Sequence, residues 1–349
     1  MASLNVDLST SRYRAMLGVG GIGSGSFFVL NGDGTLGREE SRSGRFLDRR
    51  DYCKLHIICH YVKALLGEGF KVLPIGKVGG DETGQHLLKE MRAAGLDLRY
   101  VQSIPGTQTL YSFCFLYPDG SGGNLTTDNS ACDLVGAEDV SRAEAEFTRR
   151  RSAGIALAAP EVPLPARREL LQMGTRHGFW RVAAFNSAEI VPALGSGLLT
   201  EIDLLALNRD EAAAVAGLRT DEAPPQALVE AALAWLRSIN PALLVTITAG
   251  KDGSWSWDGE SVHHLPAFPV QVISTAGAGD AFLAGVIAGR VSGLDLHDAQ
   301  ELGMLVAAHA VTSPHTIDPR LEGGSLASFA LDNKLALSGR VNHLIQENN

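Results

Sequence analysis

Short apolar runs alternate along the chain with longer segments in which apolar residues recur every three or four positions. The run Ala15–Val19 is the first of the strand type. The segment 51–66 is the first of the helical type, because Leu55, Ile58 and Val62 fall on one face. Strand-type runs recur at 70–78, 155–159, 181–185, 204–207 and 243–248, and helical patterns at 81–95, 164–177, 209–217, 226–238, 280–292 and 297–311. This alternation predicts an α/β fold, with a mostly parallel sheet that is covered by helices on both faces.

Two segments interrupt this alternation. Residues 23–45 and 107–127 are rich in turn and strand formers and have no helical period. We predict that residues 23–45 and 105–129 form a small β-sheet lid over the main sheet. The α/β core is then predicted to consist of residues 1–22, 46–104 and 130–349. The alternative is that the two segments are ordinary surface excursions.

Composition and charge narrow the class of protein. The chain is 45% hydrophobic, has a net charge of −9 and contains 39 glycines among 349 residues. There is no basic footprint for nucleic acid, no apolar stretch long enough for a membrane span and no signal-like N-terminus. The four cysteines form no C-x-x-C pair and are expected to be free thiols. We therefore expect a cytoplasmic protein that acts on small molecules.

A glycine motif after the first strand suggests one class of cofactor. Gly18, Gly20 and Gly23 match G-x-G-x-x-G, the dinucleotide-binding fingerprint. That fingerprint must open a helix, because the helix N-terminus holds the pyrophosphate. The residues that follow contain turn signals and no helical period, which disfavours a dinucleotide-dependent oxidoreductase.

The strongest local signal is the segment 274–280, which reads Ser-Thr-Ala-Gly-Ala-Gly-Asp and opens an apolar helix. Gly277 and Gly279 allow the backbone to turn sharply and to approach a ligand closely. Consecutive N–H groups at a helix N-terminus form an anion site. Asp280 lies where that field is most positive, so its carboxylate should stay ionised and accept a proton from a hydroxyl. The pattern favours phosphoryl transfer to an alcohol; the alternative is a turn in which Asp280 only caps the helix.

Three further motifs precede this segment in a fixed order. They are G-x-D-x-x-G at 79–84, N-x-x-E at Asn208 and Glu211, and T-x-G-x-x-G at 248–253. Together with the Gly-Ala-Gly-Asp at 277–280, they make the chain resemble the ribokinase-like (pfkB-type) family of carbohydrate and nucleoside kinases. The resemblance covers roughly residues 14–320.

This resemblance implies a three-layer α/β/α core of the ribokinase-like type, a β lid, and ATP with Mg²⁺ as phosphoryl donor. It implies that Asp280 is the general base and that the amides of Gly277, Ala278 and Gly279 form the anion hole. Asp81 is more simply interpreted as a helix cap. The nucleotide-binding residues implied are Asn208, Glu211, Thr248, Gly250, Gly253 and Thr275, of which Asn208 and Glu211 would organise Mg²⁺ through water.

The acceptor-binding elements of the family are replaced in this chain. The family usually has an Asp after the first strand and a Gly-Gly-x-x-x-Asn signature before the next helix; here these regions read GGIGSGSFF and RRDYCKLHIICH. Ser274 also replaces the first Asp of the family's D-T-x-G-A-G-D, so the resemblance leaves activation by K⁺ open. The candidate acceptor residues are Ser24, Asp33, Lys54, His56 and Gly80.

The replacing segment is basic. One hypothesis is that part of it binds a phosphate or carboxylate on the acceptor. The alternative is a solvated lid edge, partly balanced by Asp48 and Asp51. The basic residues are Arg42, Arg45, Arg49, Arg50 and Lys54, followed by His56 and His60.

The leading functional interpretation is an ATP-dependent kinase that acts on a hydroxyl of a sugar, a sugar derivative or a nucleoside. The alternative is a catalytically weak paralogue that senses a metabolite, although a mere binder has no need of Asp280 at the anion site. The expected partner is a small-molecule substrate, with neither nucleic acid nor membrane. Exposed lid edges often pair, which predicts a homodimer through the lid.

Overall fold

The predicted apolar runs form strands of one large sheet. The computed structural model describes residues 3–119 and 122–346. The strands are β1 Ala15–Val19, β2 Gly23–Leu30, β3 Gly44–Phe46, β4 Asp51–Tyr52, β5 Lys71–Gly79, β6 Tyr100–Ile104, β7 Leu110–Leu116, β8 Gly122–Thr126, β9 Gly154–Ala158, β10 Trp180–Ala184, β11 Leu204–Asn208, β12 Leu244–Thr248, β13 Ser254–Trp257 and β14 Val262–Leu265. Nine of them form the large sheet in the order β14-β13-β12-β11-β10-β9-β1-β5-β6.

This sheet is parallel from β12 to β6; β13 pairs antiparallel with β12, and β14 pairs antiparallel with β13. Both of its faces are buried, which explains why its strands read as continuous apolar runs. In β1, Met16 packs into one hydrophobic cluster and Leu17 into another on the opposite face. Ile155 and Ala156 of β9 divide in the same way. The result is the three-layer α/β/α core that the sequence predicts.

Helices supply the outer layers. Leu55, Leu283 and Leu305 bring α1, α9 and α10 to one face, whereas Leu170 and Leu233 bring α5 and α8 to the other. The helices are α1 Lys54–Leu66, α2 Glu82–Ala93, α3 Ala137–Ser141, α4 Glu144–Arg149, α5 Leu164–His177, α6 Ser187–Gly195, α7 Arg209–Ala216, α8 Pro225–Ile239, α9 Ala278–Val291, α10 Leu296–Ala310, α11 Ser325–Asp332 and α12 Gly339–Ile345. No helix of the described residues is long and apolar enough to cross a bilayer.

A second sheet of five strands lies beside the large one. Its order is β3-β2-β7-β8, with β4 paired to β2. The helix expected over 51–66 therefore starts at Lys54, because Asp51 and Tyr52 pair with Gly25 and Ser24 of β2. The second sheet thus contains β2, β3, β7 and β8 from the two turn-rich segments, with β3 ending one residue beyond the first, and adds β4.

The carboxyl ends of the parallel strands place the sequence motifs at one edge. β1 lies where the strand order reverses, with β5 on one side and β9 on the other. Ligands of such sheets bind outside the carboxyl ends at a reversal of this kind. Asn208 ends β11 and Thr248 ends β12, so these candidate residues lie at the same carboxyl-terminal edge of the sheet.

All four cysteines are free, as the sequence predicts.

Candidate active site

The anion turn, which we define as residues 274–280, leads into α9. Gly277 is the N-cap residue, and no side chain caps this helix. The Ala278 N–H donates to the Thr275 carbonyl at 3.2 Å, so this amide closes the turn. The N–H groups of Gly277, Gly279 and Asp280 have no hydrogen-bond acceptor among the described residues. These unpaired donors, more than the amide of Ala278, make the helix N-terminus an anion site.

Glycine is required at the two positions of the turn for different reasons. Gly277 has a φ of 77°, and a Cβ there would lie 2.8 Å from the Thr316 carbonyl oxygen. Gly279 has ordinary helical geometry, and its Cβ would meet only the Thr248 Oγ1 atom, at 3.8 Å. The expectation that both glycines serve the turn is therefore corrected: Gly277 allows the turn, and Gly279 leaves room for a ligand.

Asp280 is half-buried in the cleft in front of the turn. Burial raises its pKa to about 7; Lys54 opposes the rise, whereas Glu161 and Glu211 add to it. The helix field was expected to keep this carboxylate ionised, but desolvation and neighbouring carboxylates outweigh that field. A carboxyl with a pKa near 7 is matched to general-base work at neutral pH.

Lys54 supplies a positive charge to this cluster of carboxylates. Its ammonium donates to the Phe185 carbonyl at 3.0 Å and to Glu211 at 3.4 Å. Burial by itself would lower the pKa of Lys54, but Asp280 and then Glu211 raise it, so the ammonium stays protonated. The first residue of α1 thereby brings a positive charge of the basic segment to the carboxylates of Asp280 and Glu211.

Asn208 and Glu211 form a reciprocal cap at the start of α7. Asn208 Oδ1 accepts from the Glu211 N–H at 2.8 Å, and Glu211 accepts from the Asn208 N–H at 2.9 Å and from the Asn208 side-chain amide at 3.0 Å. Burial raises the pKa of Glu211, and Lys54 counteracts the rise. The N-x-x-E motif therefore has a structural role, whatever else it binds.

A cavity of about 1010 Å³ lies in front of the anion turn and the ends of β11 and β12. It is large enough for a nucleotide-sized ligand. Its lining includes every predicted catalytic and nucleotide-binding residue, together with Lys54: Asn208, Glu211, Thr248, Gly250, Gly253, Thr275, Gly277, Ala278, Gly279 and Asp280.

Comparison with known proteins identifies this arrangement. Residues 60–322 match the model of the pfkB family of carbohydrate kinases. The chain belongs to this family. It is 25% identical over 251 residues to the deoxyribokinase of Salmonella typhi, covering 70% of this chain and 77% of that protein. It is 28% identical over 260 residues to the 5-dehydro-2-deoxygluconokinase of Clostridium perfringens, covering 69% and 75%.

Solved structures share the fold of this pfkB-family kinase. A nucleoside kinase from Burkholderia thailandensis, in complex with inosine, superposes with a TM-score of 0.69 at 17% identity, covering 93% of this chain and 100% of that one. Family membership makes the protein an ATP-dependent kinase of the carbohydrate and nucleoside type.

The family usually uses Mg²⁺ with ATP, and the cleft of this pfkB-family kinase fits a hydrated ion. The oxygens of Asn208 and Glu211 already accept hydrogen bonds of the reciprocal cap. They are therefore suited to water-mediated contact, which Mg²⁺ favours. No cluster of three or more potential metal-ligating side chains occurs in residues 3–119 and 122–346. The remaining Mg²⁺ ligands would come from phosphate oxygens and water.

The predicted acceptor residues are dispersed. Only Lys54 lines the main cavity; the other four line neither this cavity nor the second one described below. Asp33 is exposed in the turn after β2, Gly80 is exposed after β5, and Ser24 is half-buried in β2. His56 is buried in α1, where desolvation lowers its pKa to about 3 and keeps the ring neutral.

Glu161, which raises the pKa of Asp280, is a residue near the candidate site that the motif search missed. It follows β9 with a φ of 72°, a conformation that non-glycine residues adopt at a cost and that recurs at functional sites. Its Oε2 atom is buried without a hydrogen-bond partner among the described residues, and burial raises its pKa. An acidic residue two positions after the apolar run 155–159, with Pro160 between them, was the available signal.

Proposed function

We propose that the protein transfers the γ-phosphoryl group of ATP to a hydroxyl of a sugar, a sugar derivative or a nucleoside, with Asp280 as general base. One observation carries the proposal. A half-buried carboxyl whose pKa is about 7 lies at a helix N-terminus where the N–H groups of Gly277, Gly279 and Asp280 have no acceptor within the described residues. This pairs a proton acceptor with an anion site, which is what transfer to an alcohol requires.

The reaction takes place between these two elements. The acceptor hydroxyl gives its proton to Asp280 as its oxygen bonds to the γ-phosphorus. The bond from that phosphorus to the β–γ bridging oxygen breaks, and its electron pair stays with ADP. The N–H groups of Gly277 and Gly279 stabilise the negative charge of the transferring group, with Ala278 holding the turn.

Donor binding follows the lining of the main cavity. The ATP phosphates lie along the anion turn, with Thr275 beside them, and Asn208 and Glu211 would hold Mg²⁺ through water. Thr248, Gly250 and Gly253 line the base and ribose portion. With Ser274 in place of an acid, any K⁺ would have to be held by carbonyl groups.

Acceptor binding involves Lys54 and Glu161. Both act on the pKa of Asp280, which Lys54 lowers and Glu161 raises. The unpartnered Oε2 atom of Glu161 is an acceptor for a substrate hydroxyl, since a buried oxygen without a donor is costly. The second sheet closes over this side and excludes water, which limits wasteful hydrolysis of ATP.

A homodimer through the second sheet is part of the proposal. The outer face of that sheet carries an aromatic cluster in which Phe28 and Phe46 lie 5.0 Å apart, with Phe113 beside them. Phe46 and Leu125 are 64% and 62% exposed. Such apolar exposure on one sheet face suits a second copy of the chain. A monomeric mass in sedimentation at micromolar concentration would contradict the homodimer.

The deciding experiment is an ATP-consumption screen over sugars, sugar acids, sugar phosphates and nucleosides, with Asp280→Asn in parallel. We expect the variant to bind ATP normally and to lose at least about a hundredfold in kcat, the low end of general-base effects. Near-normal turnover of Asp280→Asn would show that Asp280 is not the general base. A metabolite sensor is the competing function, and ATP binding without turnover on any acceptor would favour it.

A further inference from the structure

The structure divides the basic segment 42–54 into parts with different roles. Arg42 forms an ion pair with Glu40 within the turn-rich region. Arg50 forms one with Glu90 of α2 at 2.8 Å. Both guanidinium groups therefore already have carboxylate partners. Lys54 lies in the main cavity with Asp280 and Glu211.

Arg45 and Arg49 differ from these residues. Neither guanidinium has a hydrogen bond or ion pair with another residue in the described parts of the chain. Both line a second cavity of about 600 Å³, which lies between the second sheet and the segment 272–276. Asp48, their nearest acidic neighbour in sequence, does not line it. A chain with a net charge of −9 thus presents two unpaired cations to one cavity.

The rest of the cavity wall is mainly apolar. Phe27 and Val29 of β2 and Leu47 line one side, and Val272 and Ile273 line the other. Val272 and Ile273 are about half exposed (56% and 47%), which is unusual for such side chains and leaves apolar surface for a ligand. The wall suits a carbon skeleton, and the two arginines suit an anionic group attached to it.

The second cavity adjoins the catalytic cleft. Val272 and Thr275 line both cavities, and Ala276, which lines the second, directly precedes Gly277. Ala276 is four residues from Asp280, so at most ~15 Å of chain separates them. One phosphorylated or carboxylated sugar would therefore place its reacting hydroxyl at Asp280 and its anionic group in this cavity.

We infer that Arg45 and Arg49 bind a carboxylate or phosphate of the acceptor while its reacting hydroxyl lies against Asp280. The inference rests on the proposed kinase function and specifies its substrate class as anionic acceptors. Guanidinium groups recognise both anions through paired N–H donors, so the two share one chemistry at this site. A neutral sugar would leave the two cations without a partner.

Initial rates with matched acceptors test this assignment. The panel is glucose, gluconate, fructose and fructose 6-phosphate, and the variants are Arg45→Gln and Arg49→Gln. For whichever anionic acceptor is used, each variant should raise KM about tenfold or more, with KM for ATP unchanged. Arg38→Gln is the matched control, because Arg38 is an arginine of the turn-rich segment 23–45 that lines neither cavity. Gluconate and fructose 6-phosphate separate carboxylate from phosphate.

A binding measurement makes the test independent of turnover. Inorganic phosphate is titrated calorimetrically into the ADP-bound wild type and into the Arg45→Gln/Arg49→Gln double variant. The wild type should bind one more phosphate than the double variant, or bind it at least about tenfold more tightly. Equal binding by the two proteins overturns the inference, as does equal use of neutral and anionic acceptors by the wild type.

The two proposals can fail separately. Arginine-dependent phosphate binding without turnover on any acceptor would contradict the kinase function and leave the anion site in place. Turnover that depends on Asp280 but is unaffected by either arginine variant would contradict the anion site and leave the kinase function in place.

Discussion

The nucleotide half and the acceptor half of the cleft are built in different ways. On the nucleotide side, binding groups come from short contiguous segments, namely the anion turn, the Asn208–Glu211 cap and the end of β12. On the proposed acceptor side, Lys54, Glu161 and the arginines of the second cavity come from a helix start, the turn after β9 and the region around β3. The first half uses mainly backbone geometry, and the second uses mainly side chains.

This difference explains which half the motifs identify. A backbone turn that binds phosphate needs glycines at fixed spacing, so it leaves a local pattern in sequence. A side-chain pocket needs only that suitable groups meet in space, and many different segments achieve that. The same division explains how members of one family can share a phosphoryl donor and act on different acceptors.

The largest expected effect is in the nucleotide half. Gly279→Val should reduce kcat/KM for ATP by about a hundredfold or more, because its side chain would block the amides that stabilise the transferring group. Its thermal stability should stay close to wild type, since φ is ordinary and the nearest atom to a Cβ is 3.8 Å away. Gly277→Ala is the matched variant and should lose about 1–3 kcal/mol of stability through its positive φ. Equal destabilisation of both variants would contradict the division of roles between these glycines.

The next effect concerns Lys54, where the two halves meet. Lys54→Gln removes a charge that lowers the pKa of Asp280, so that pKa should rise further above its ordinary range. Because the base must be ionised, the acidic limb of the kcat/KM–pH profile should move to higher pH, with about a tenfold lower rate at pH 7. Lys89→Gln, an exposed change on α2, should leave the profile in place. If the acidic limb of the Lys54→Gln profile does not shift, Lys54 does not influence the pKa of Asp280.

A stability measurement tests the burial of Asp280 without any substrate. Its folded pKa of about 7 lies above the ordinary 3.8, so the folded protein holds a proton that the unfolded chain has released. Wild-type stability should therefore fall as pH rises from about 4 to 7. At pH 8, Asp280→Asn should be more stable than wild type by up to about 4 kcal/mol, and the gap should close below pH 4. Urea titrations at pH 4, 6 and 8 measure this, with Asp332→Asn as the exposed control.

The smallest effect on turnover is expected at Asp81. Its carboxylate accepts from the Gly84 N–H at 2.8 Å and from the Thr109 N–H at 2.7 Å, which ties the start of β7 to α2. Asp81→Ala should lower the free energy of unfolding by about 1–2 kcal/mol with kcat unchanged. Glu82→Ala, in the same turn, is the control. A large loss of kcat with normal stability would make Asp81 an active-site residue.

Local signals predicted much of the fold. Continuous apolar runs predicted the parallel strands because a sheet buried on both faces requires them, as Met16 and Leu17 show. The start of α1 was misplaced because residues 51 and 52 continue the helical pattern, yet pairing with β2 makes them a strand. That competition depends on a partner strand more than twenty residues away and cannot be seen in a local pattern.

The sequence by itself determined the layered sheet, the donor motifs and the position of Asp280, because each depends on periodicity or spacing within a few residues. Only the tertiary structure decided the protonation of Asp280, since its pKa depends on burial and on Lys54, Glu161 and Glu211 brought from distant segments. Tertiary structure also decided which basic residues are unpaired, because Arg50 meets Glu90 only in the folded chain. Charge and burial act through space, so the chemistry of the acceptor side is settled by folding.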